Sequence, residues 1–279
     1  MNKLVYHYTT LDALCSIIQR DKIVLRATMY KHLNDPFEKI WSQEFIQSQI
    51  KKEIADTNLS YGIVDNLVDR HPYIISFCDI PDYRNMWRLY CNDGFGICIG
   101  FDSILLTQIA EKNILTDTKH KQDFFEHVYY CSRKEITKAF KYWEDKRVFE
   151  INKTDNIDNL YIMSAFIKCD DFNIEHEVRY ARLRENLNVK LKYDSTTEKI
   201  STETKEDVSD VKYRMRYNEK VPYLEIAFPS DIIRKVIVGY GYNKFSDVKE
   251  CIEQILSINS TLYNVDIEVS TLNKTTTNL

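Results

Sequence analysis

The stretch LVYHYTTLDALCSIIQ, running from Leu4 to Gln19, changes its period halfway along. From Leu4 to Thr9 aromatic and β-branched residues dominate, as in a strand, whereas Leu11, Leu14, Ile17 and Ile18 recur at the spacing of one helical face. Thr10 stands where an N-cap side chain accepts from the first helical turn. The chain therefore opens with a strand that runs directly into a helix. Successive side chains of a strand point to opposite faces, so His7 faces away from Tyr6 and Tyr8. An imidazole placed there either hydrogen-bonds at a sheet edge or meets a ligand at the mouth of a cleft.

Strands and helices go on alternating. KIVLRA predicts a second strand, and LNDPFE breaks it with Asn34-Asp35-Pro36 before a helix from about Phe37. YIISFCD is a third strand, YRNMWRLY a short helix, and the glycine-bounded run GFGICIGF a buried strand. Helices are expected over Arg133 to Lys146 and over Asn156 to Cys169. EHEVRYARL resumes a strand with NVKLKY as its hairpin partner, and Ser195 to Asp210 is polar enough to be a loop or insertion. VPYLEIAF, RKVIVGYG and YNVDIEVS are late strands, with FSDVKECIEQIL a helix between the last two. The expected class is α+β: one domain over 1–269, interrupted by a polar insertion at 194–210 and followed by a frayed tail at 270–279.

Composition bounds the chemistry. The chain has 279 residues, 44% of them hydrophobic and 29% charged, and a net charge of -4 offers no basic surplus for gripping a phosphate backbone. Seven scattered cysteines without a CxxC pair read as reduced thiols, with Cys15 and Cys98 as small core residues. No run of eighteen apolar residues occurs, so a soluble, cytoplasmic protein without a membrane partner is expected. Phosphate-loop, HExxH and Gly-x-Ser-x-Gly signatures are absent, which removes the commonest nucleotide-triphosphate and hydrolase chemistries and calls for no metal.

Four local clusters remain. His7 lies between two tyrosines. LNDPFE is at minimum a turn, from which Glu38 could project into a cleft. SFCDIPDYRNMWRLY collects Phe77, Trp87 and Tyr90, the last two three residues apart on one helical face, either as core or as a wall for a planar ligand. In EHEVRY, Glu175, Glu177 and Arg179 alternate, placing them on one strand face. Such a row is either solvated or a device for holding sugar hydroxyls and stabilising developing positive charge.

Taken in order, YHYTT, LNDPFE, IISFC, MWRLY, GFGICIGF, EHEVRY and IIRKVIVG resemble the bacterial family known as domain of unknown function 2971, from Leu4 to about Gly239. The chain departs from that pattern in DFNIEHEVRY, where Phe172 or Ile174 stands in place of a tryptophan. That family in turn resembles the ADP-ribosyltransferase superfamily, whose fold is a split, mostly antiparallel sheet with NAD in the cleft. The histidine, tyrosine and glutamate of one of its branches would fall on His7, Tyr90 and Glu177. The resemblance implies NAD as substrate and cleavage of its nicotinamide glycosidic bond, with Glu177 as the carboxylate that stabilises the developing positive charge and Glu175 beside it to orient the acceptor. Tyr90 would be the catalytic aromatic, and His7, Tyr8, Phe77, Trp87 and Arg179 would hold the dinucleotide. It also implies a toxin or anti-phage defence effector with a nucleic-acid or protein acceptor and an antitoxin or defence partner. Two other classes stand beside it: a binding module that lost its chemistry, and a nuclease with Asp35, Glu38, Glu175 and Glu177 around magnesium.

Overall fold

The computed structural model describes residues 4–33, 45–46, 48, 72–115, 121–146, 156–184, 189–194, 199–204 and 210–272. In chain order the elements are β1 (Leu4–Thr9), α1 (Leu11–Ile17), β2 (Ile23–Met29), β3 (Tyr73–Cys78), α2 (Arg84–Tyr90), β4 (Ile97–Asp102) and α3 (Ser103–Leu115). Next come β5 (Lys121–His127), β6 (Tyr129–Cys131), α4 (Ile136–Lys146), α5 (Asn156–Ser164), β7 (Ile167–Cys169) and β8 (Glu177–Arg184). The last group is β9 (Val189–Asp194), β10 (Lys199–Thr204), β11 (Lys212–Arg216), β12 (Glu219–Phe228), β13 (Ile233–Val238), α6 (Phe245–Leu256) and β14 (Asp266–Val269). The expected α+β class holds, with a mixed sheet that is mostly antiparallel.

Ten strands form the main sheet in the order β11-β12-β2-β3-β1-β4-β13-β14, and β8 adds to β3 and carries β5. Among the described residues only β13 and β14 pair in parallel within it. The middle of this sheet is divided. Along one edge β3 pairs with β8 over its whole length, from Tyr73↔Arg182 to Cys78↔Glu177. Along the other it meets β2 at Tyr73 and Ile74 and β1 at Cys78, leaving Ile75, Ser76 and Phe77 paired with neither. Strands β1 and β2 thus splay apart over the centre of β3.

Side-chain alternation sorts the core by face. Tyr73, Ile75 and Phe77 join one large cluster with Leu14 and Ile17 of α1, Leu106 of α3 and Ile252 of α6. On the opposite face Ile74 packs with Phe140, Trp143 and Phe166 under α4 and α5. Cys78, on the same side as Ile74, packs with Tyr6, Tyr8, Met86 and Trp87 under α2. Ser76 lies between these two covers and is exposed. Over β3 one face of the sheet is covered throughout, whereas the other is covered twice with a gap between the covers.

Several expectations change. The helix predicted to reach Cys169 ends at Ser164, because Ala165 and Phe166 turn the chain and Ile167–Cys169 becomes a strand parallel to β6. NVKLKY pairs with Lys199–Thr204, not with EHEVRYARL, whose two edges are already taken by β3 and β5. The polar segment from Ser195 therefore contains a strand, supported by backbone pairing instead of apolar periodicity. All seven cysteines are free thiols; Cys98 is buried, but Cys15 is exposed because Leu14 and Ile17 turn it outward on α1. Ser270 and Thr271, assigned by sequence to the tail, hydrogen-bond the Asp82 carboxylate. The turn and helix expected from Asn34 to Glu38 and onward lie outside the described residues. No helix among the described residues is long and apolar enough to cross a membrane.

Candidate functional site

The gap in the sheet opens into a cleft of about 670 Å³. One wall comes from His7, Tyr8 and Thr9 of β1, another from Arg26 and Thr28 of β2, and the floor from Ile74 to Phe77 of β3. Beyond the floor stand Tyr90, Lys168, Phe172, Glu175 and Glu177. A concave site of this size is within the range that accommodates small-molecule ligands.

His7 closes the division locally. Its Nδ1 lies 2.9 Å from the Ser76 carbonyl oxygen, one of the backbone groups that the splayed strands leave free. A carbonyl only accepts, so Nδ1 carries the proton and Nε2 is left as an acceptor. Burial lowers the imidazole pKa, against the opposing effect of the Ser76 bond, so the ring is neutral at physiological pH. The unfolded chain binds the proton more tightly than the folded one, and stability is therefore expected to rise with pH up to about 6.5 and to level off above it. Chemical denaturation of the parent and of His7→Gln between pH 5 and 7 checks this, the variant showing a flatter rise.

The carboxylates are built differently from a solvated strand row. Glu177 and Arg179 do alternate on β8, but Glu175 ends a 3-10 turn at Asp170–Glu175 and is separated from the strand by His176 in a left-handed conformation, φ 46°. This kink carries Glu175 off the strand and still returns it to Glu177. Lys168 of β7 joins the two, with Nζ at 2.7 Å from Glu175 and 3.3 Å from Glu177. Arg179, 1% exposed, donates from Nε and Nη2 to both oxygens of Glu177, at 2.7 and 2.8 Å, and from Nη1 to the Ala165 carbonyl. The Glu177 backbone N–H donates to the Tyr130 hydroxyl at 2.9 Å.

Electrostatics follow from these contacts. Burial alone would raise the Glu177 pKa, but Arg179 and Lys168, with a hydrogen bond from Ser76, outweigh it and hold the carboxyl well below its ordinary range. Its acceptor capacity is taken up by two bonds from Arg179, one from Lys168 and one from Ser76. Glu175 carries fewer. Its Oε1 accepts from the Tyr90 hydroxyl at 3.2 Å and its Oε2 from Lys168, which leaves lone pairs open toward the cleft.

Of the residues singled out in the sequence, His7, Tyr8, Phe77, Tyr90, Glu175 and Glu177 all line the cleft. Phe77 nevertheless packs its ring edge-on against Phe101 and Phe125, in the core beneath the floor. The Tyr8 hydroxyl donates to the Ile80 carbonyl and accepts from the Tyr83 N–H. Trp87 is fully buried against Tyr8 and donates its Nε1–H to Asp82 at 2.8 Å, so it is core and not a stacking wall. Arg179 lies behind Glu177 and off the cleft lining. Phe172 stands over the Lys168 ammonium, 5.0 Å from its ring centre, and is an aromatic wall along with Tyr90.

Sequence reasoning passed over Lys168, although a lysine in the apolar run LYIMSAFIKC was a signal, since a buried ammonium requires carboxylate partners. It also left Arg26 unremarked. The nuclease arrangement gains no donors: Glu175 and Glu177 are engaged by Lys168 and Arg179, and no group of three metal-ligating side chains occurs among the described residues. Asp35 and Glu38 lie outside the described residues.

A mostly antiparallel sheet divided over a cleft, with a buried acid-base cluster at one side, places the chain among α+β proteins with a site in a sheet cleft. The family model described as Protein of unknown function (DUF2971) matches residues 86–180 of the chain. The match takes in Tyr90, Lys168 and the Glu175 to Arg179 segment, and leaves His7 outside it. No curated protein and no solved structure matches the chain.

Proposed function

We propose that this protein cleaves the nicotinamide glycosidic bond of NAD and transfers the ADP-ribose to a macromolecular acceptor, a nucleic acid or a protein. The observation that carries the proposal is the pairing of a neutral histidine acceptor on β1 with the open carboxylate of Glu175 across one divided-sheet cleft. His7 Nε2 accepts from a ribose hydroxyl. The C1′–N bond breaks with its electron pair leaving on nicotinamide, and Glu175 stabilises the positive charge that develops at the anomeric carbon. The acceptor then bonds to that carbon and gives up its proton. Tyr90 and Phe172 flank the nicotinamide ring and orient it as a leaving group. Glu177, with its lone pairs already engaged, positions Lys168, and Lys168 in turn holds Glu175 in place. The expectation that Glu177 itself stabilises the charge therefore passes to its neighbour.

A second reading has its own observation. Four hydrogen bonds on Glu177 describe a finished structural ion pair, which a nucleotide-binding module without chemistry would also contain. Liquid chromatography of NAD incubated with the folded protein separates the two. Free nicotinamide is expected. No release together with no NAD-dependent thermal shift overturns the NAD proposal, and a shift without release moves the assignment to the binding module.

A further inference from the structure

Three arginines converge at the end of the cleft away from Glu175. Arg26 comes from β2, and Arg214 and Arg216 from β11 at the sheet edge, with β12 between the two strands. Register puts them on one face: Arg26 lies opposite Glu225, Thr28 opposite Tyr223, and Tyr223 in turn opposite Lys212. It is also the face that bears Ser76 and Glu177, because Thr28 pairs with Ile74. The guanidinium carbons of Arg26 and Arg214 lie 5.3 and 6.0 Å from the centre of the same Tyr223 ring.

The positive charge of Arg26 and Arg214 is poorly compensated. Glu225, the residue across from Arg26, is bound by Lys212 at 2.6 Å. Arg216 donates from Nη2 to the His32 carbonyl and adds its charge beside Arg214. Arg214 donates from Nη2 to the Thr28 hydroxyl at 3.0 Å, while its buried Nε–H has no hydrogen-bond partner among the described residues. A buried guanidinium donor left unsatisfied beside two like charges costs free energy that a bound anion recovers. Burial and then the neighbouring charges of Arg216 and Arg26 also pull the Arg214 pKa below its ordinary value.

We infer that Arg26, Arg214 and Arg216 form a phosphate-binding subsite of the cleft and that its ligand is a small nucleotide carrying a diphosphate. The inference deepens the NAD proposal and rests on it for the ligand's direction, with the phosphates toward β11 and the scissile ribose toward Glu175. A small ligand is favoured over a nucleic-acid strand because the arginines line a concave cleft of about 670 Å³ and not a flat surface. Strand alternation also sends the exposed Tyr213 and Met215 to the other face, and Tyr223 beside the charges is buried beneath Arg26 and Arg214, so bases would find no exposed stacking platform there.

Calorimetric titration with ADP and with adenosine tests the subsite without any nicotinamide chemistry. ADP is expected to bind at least about tenfold more tightly than adenosine, and Arg214→Gln to bring the two within about twofold while adenosine binding stays unchanged. Arg26→Gln, at an exposed position, gives the same readout should the first variant fail to fold. Equal affinities for ADP and adenosine in the parent, or a preference that survives both substitutions, overturn the subsite. Tighter binding of a single-stranded oligonucleotide than of ADP overturns the small-nucleotide assignment. A preserved ADP preference without nicotinamide release overturns only the NAD chemistry, and release without an ADP preference overturns only the subsite.

Discussion

Replacing Arg179 by methionine is expected to lower the free energy of unfolding by about 3–5 kcal/mol, the usual cost of removing one partner from a buried ion pair. Methionine fills much of the arginine stem's volume, so the loss is not mainly a cavity effect. It arises because Glu177, 5% exposed, keeps its charge with only Lys168 and Ser76 to meet it, and because the Ala165 carbonyl loses its donor. The double variant Glu177→Leu, Arg179→Met separates this from a general packing defect. With both charges gone, and Lys168 still bonded to Glu175, much of the loss should return. Urea unfolding measures both, and a single-variant loss below about 1 kcal/mol would place the pair in the range of solvent-screened surface bridges.

The pH dependence of the same variant has a definite direction. A carboxyl held below its ordinary pKa in the folded protein contributes stability that is complete above about 4.5 and is lost as pH falls toward the folded value. The parent should therefore show an acid limb below that pH. Arg179→Met removes the larger of the two cationic neighbours, so its limb should be shallower.

Glu175→Gln is expected to lower nicotinamide release by about 10²–10³-fold, the usual effect of deleting one preorganised electrostatic contact to a transition state. NAD affinity should change little, because the contact strengthens only as charge develops at the anomeric carbon. The amide oxygen can still accept from Tyr90, but the buried Lys168 loses its nearer carboxylate. Folding should therefore weaken as well, by less than in Glu177→Gln, whose lost carboxylate meets two buried cations. Glu177→Gln separates the roles of the two glutamates. It leaves Arg179 and Lys168 short of a counter-charge, and its loss of activity should come with a clear loss of stability. Measuring kcat, KM and urea midpoints for both variants decides the matter. Full turnover in Glu175→Gln, with turnover abolished in a stably folded Glu177→Gln, would return the charge-stabilising role to Glu177.

The sequence by itself determined what depends on near neighbours. Aromatic and β-branched alternation followed by helical spacing specified β1 and α1, and the opposed faces of His7 and its flanking tyrosines followed from the strand period. The strands of YIISFC, ICIGF and VPYLEIAF and the helix of FSDVKECIEQIL were legible for the same reason. Tertiary structure decided what depends on strand order and burial. Local pattern could not tell a solvated charge row from a buried one, because the Lys168 that neutralises Glu175 and Glu177 arrives from a separate strand, β7. It could not show that β1 and β2 part over Ser76, since pairing partners are chosen by the assembled sheet. Nor could it bring Arg26 onto the same tyrosine as Arg214, because only β12, lying between their strands, places residues so far apart in the chain on one face.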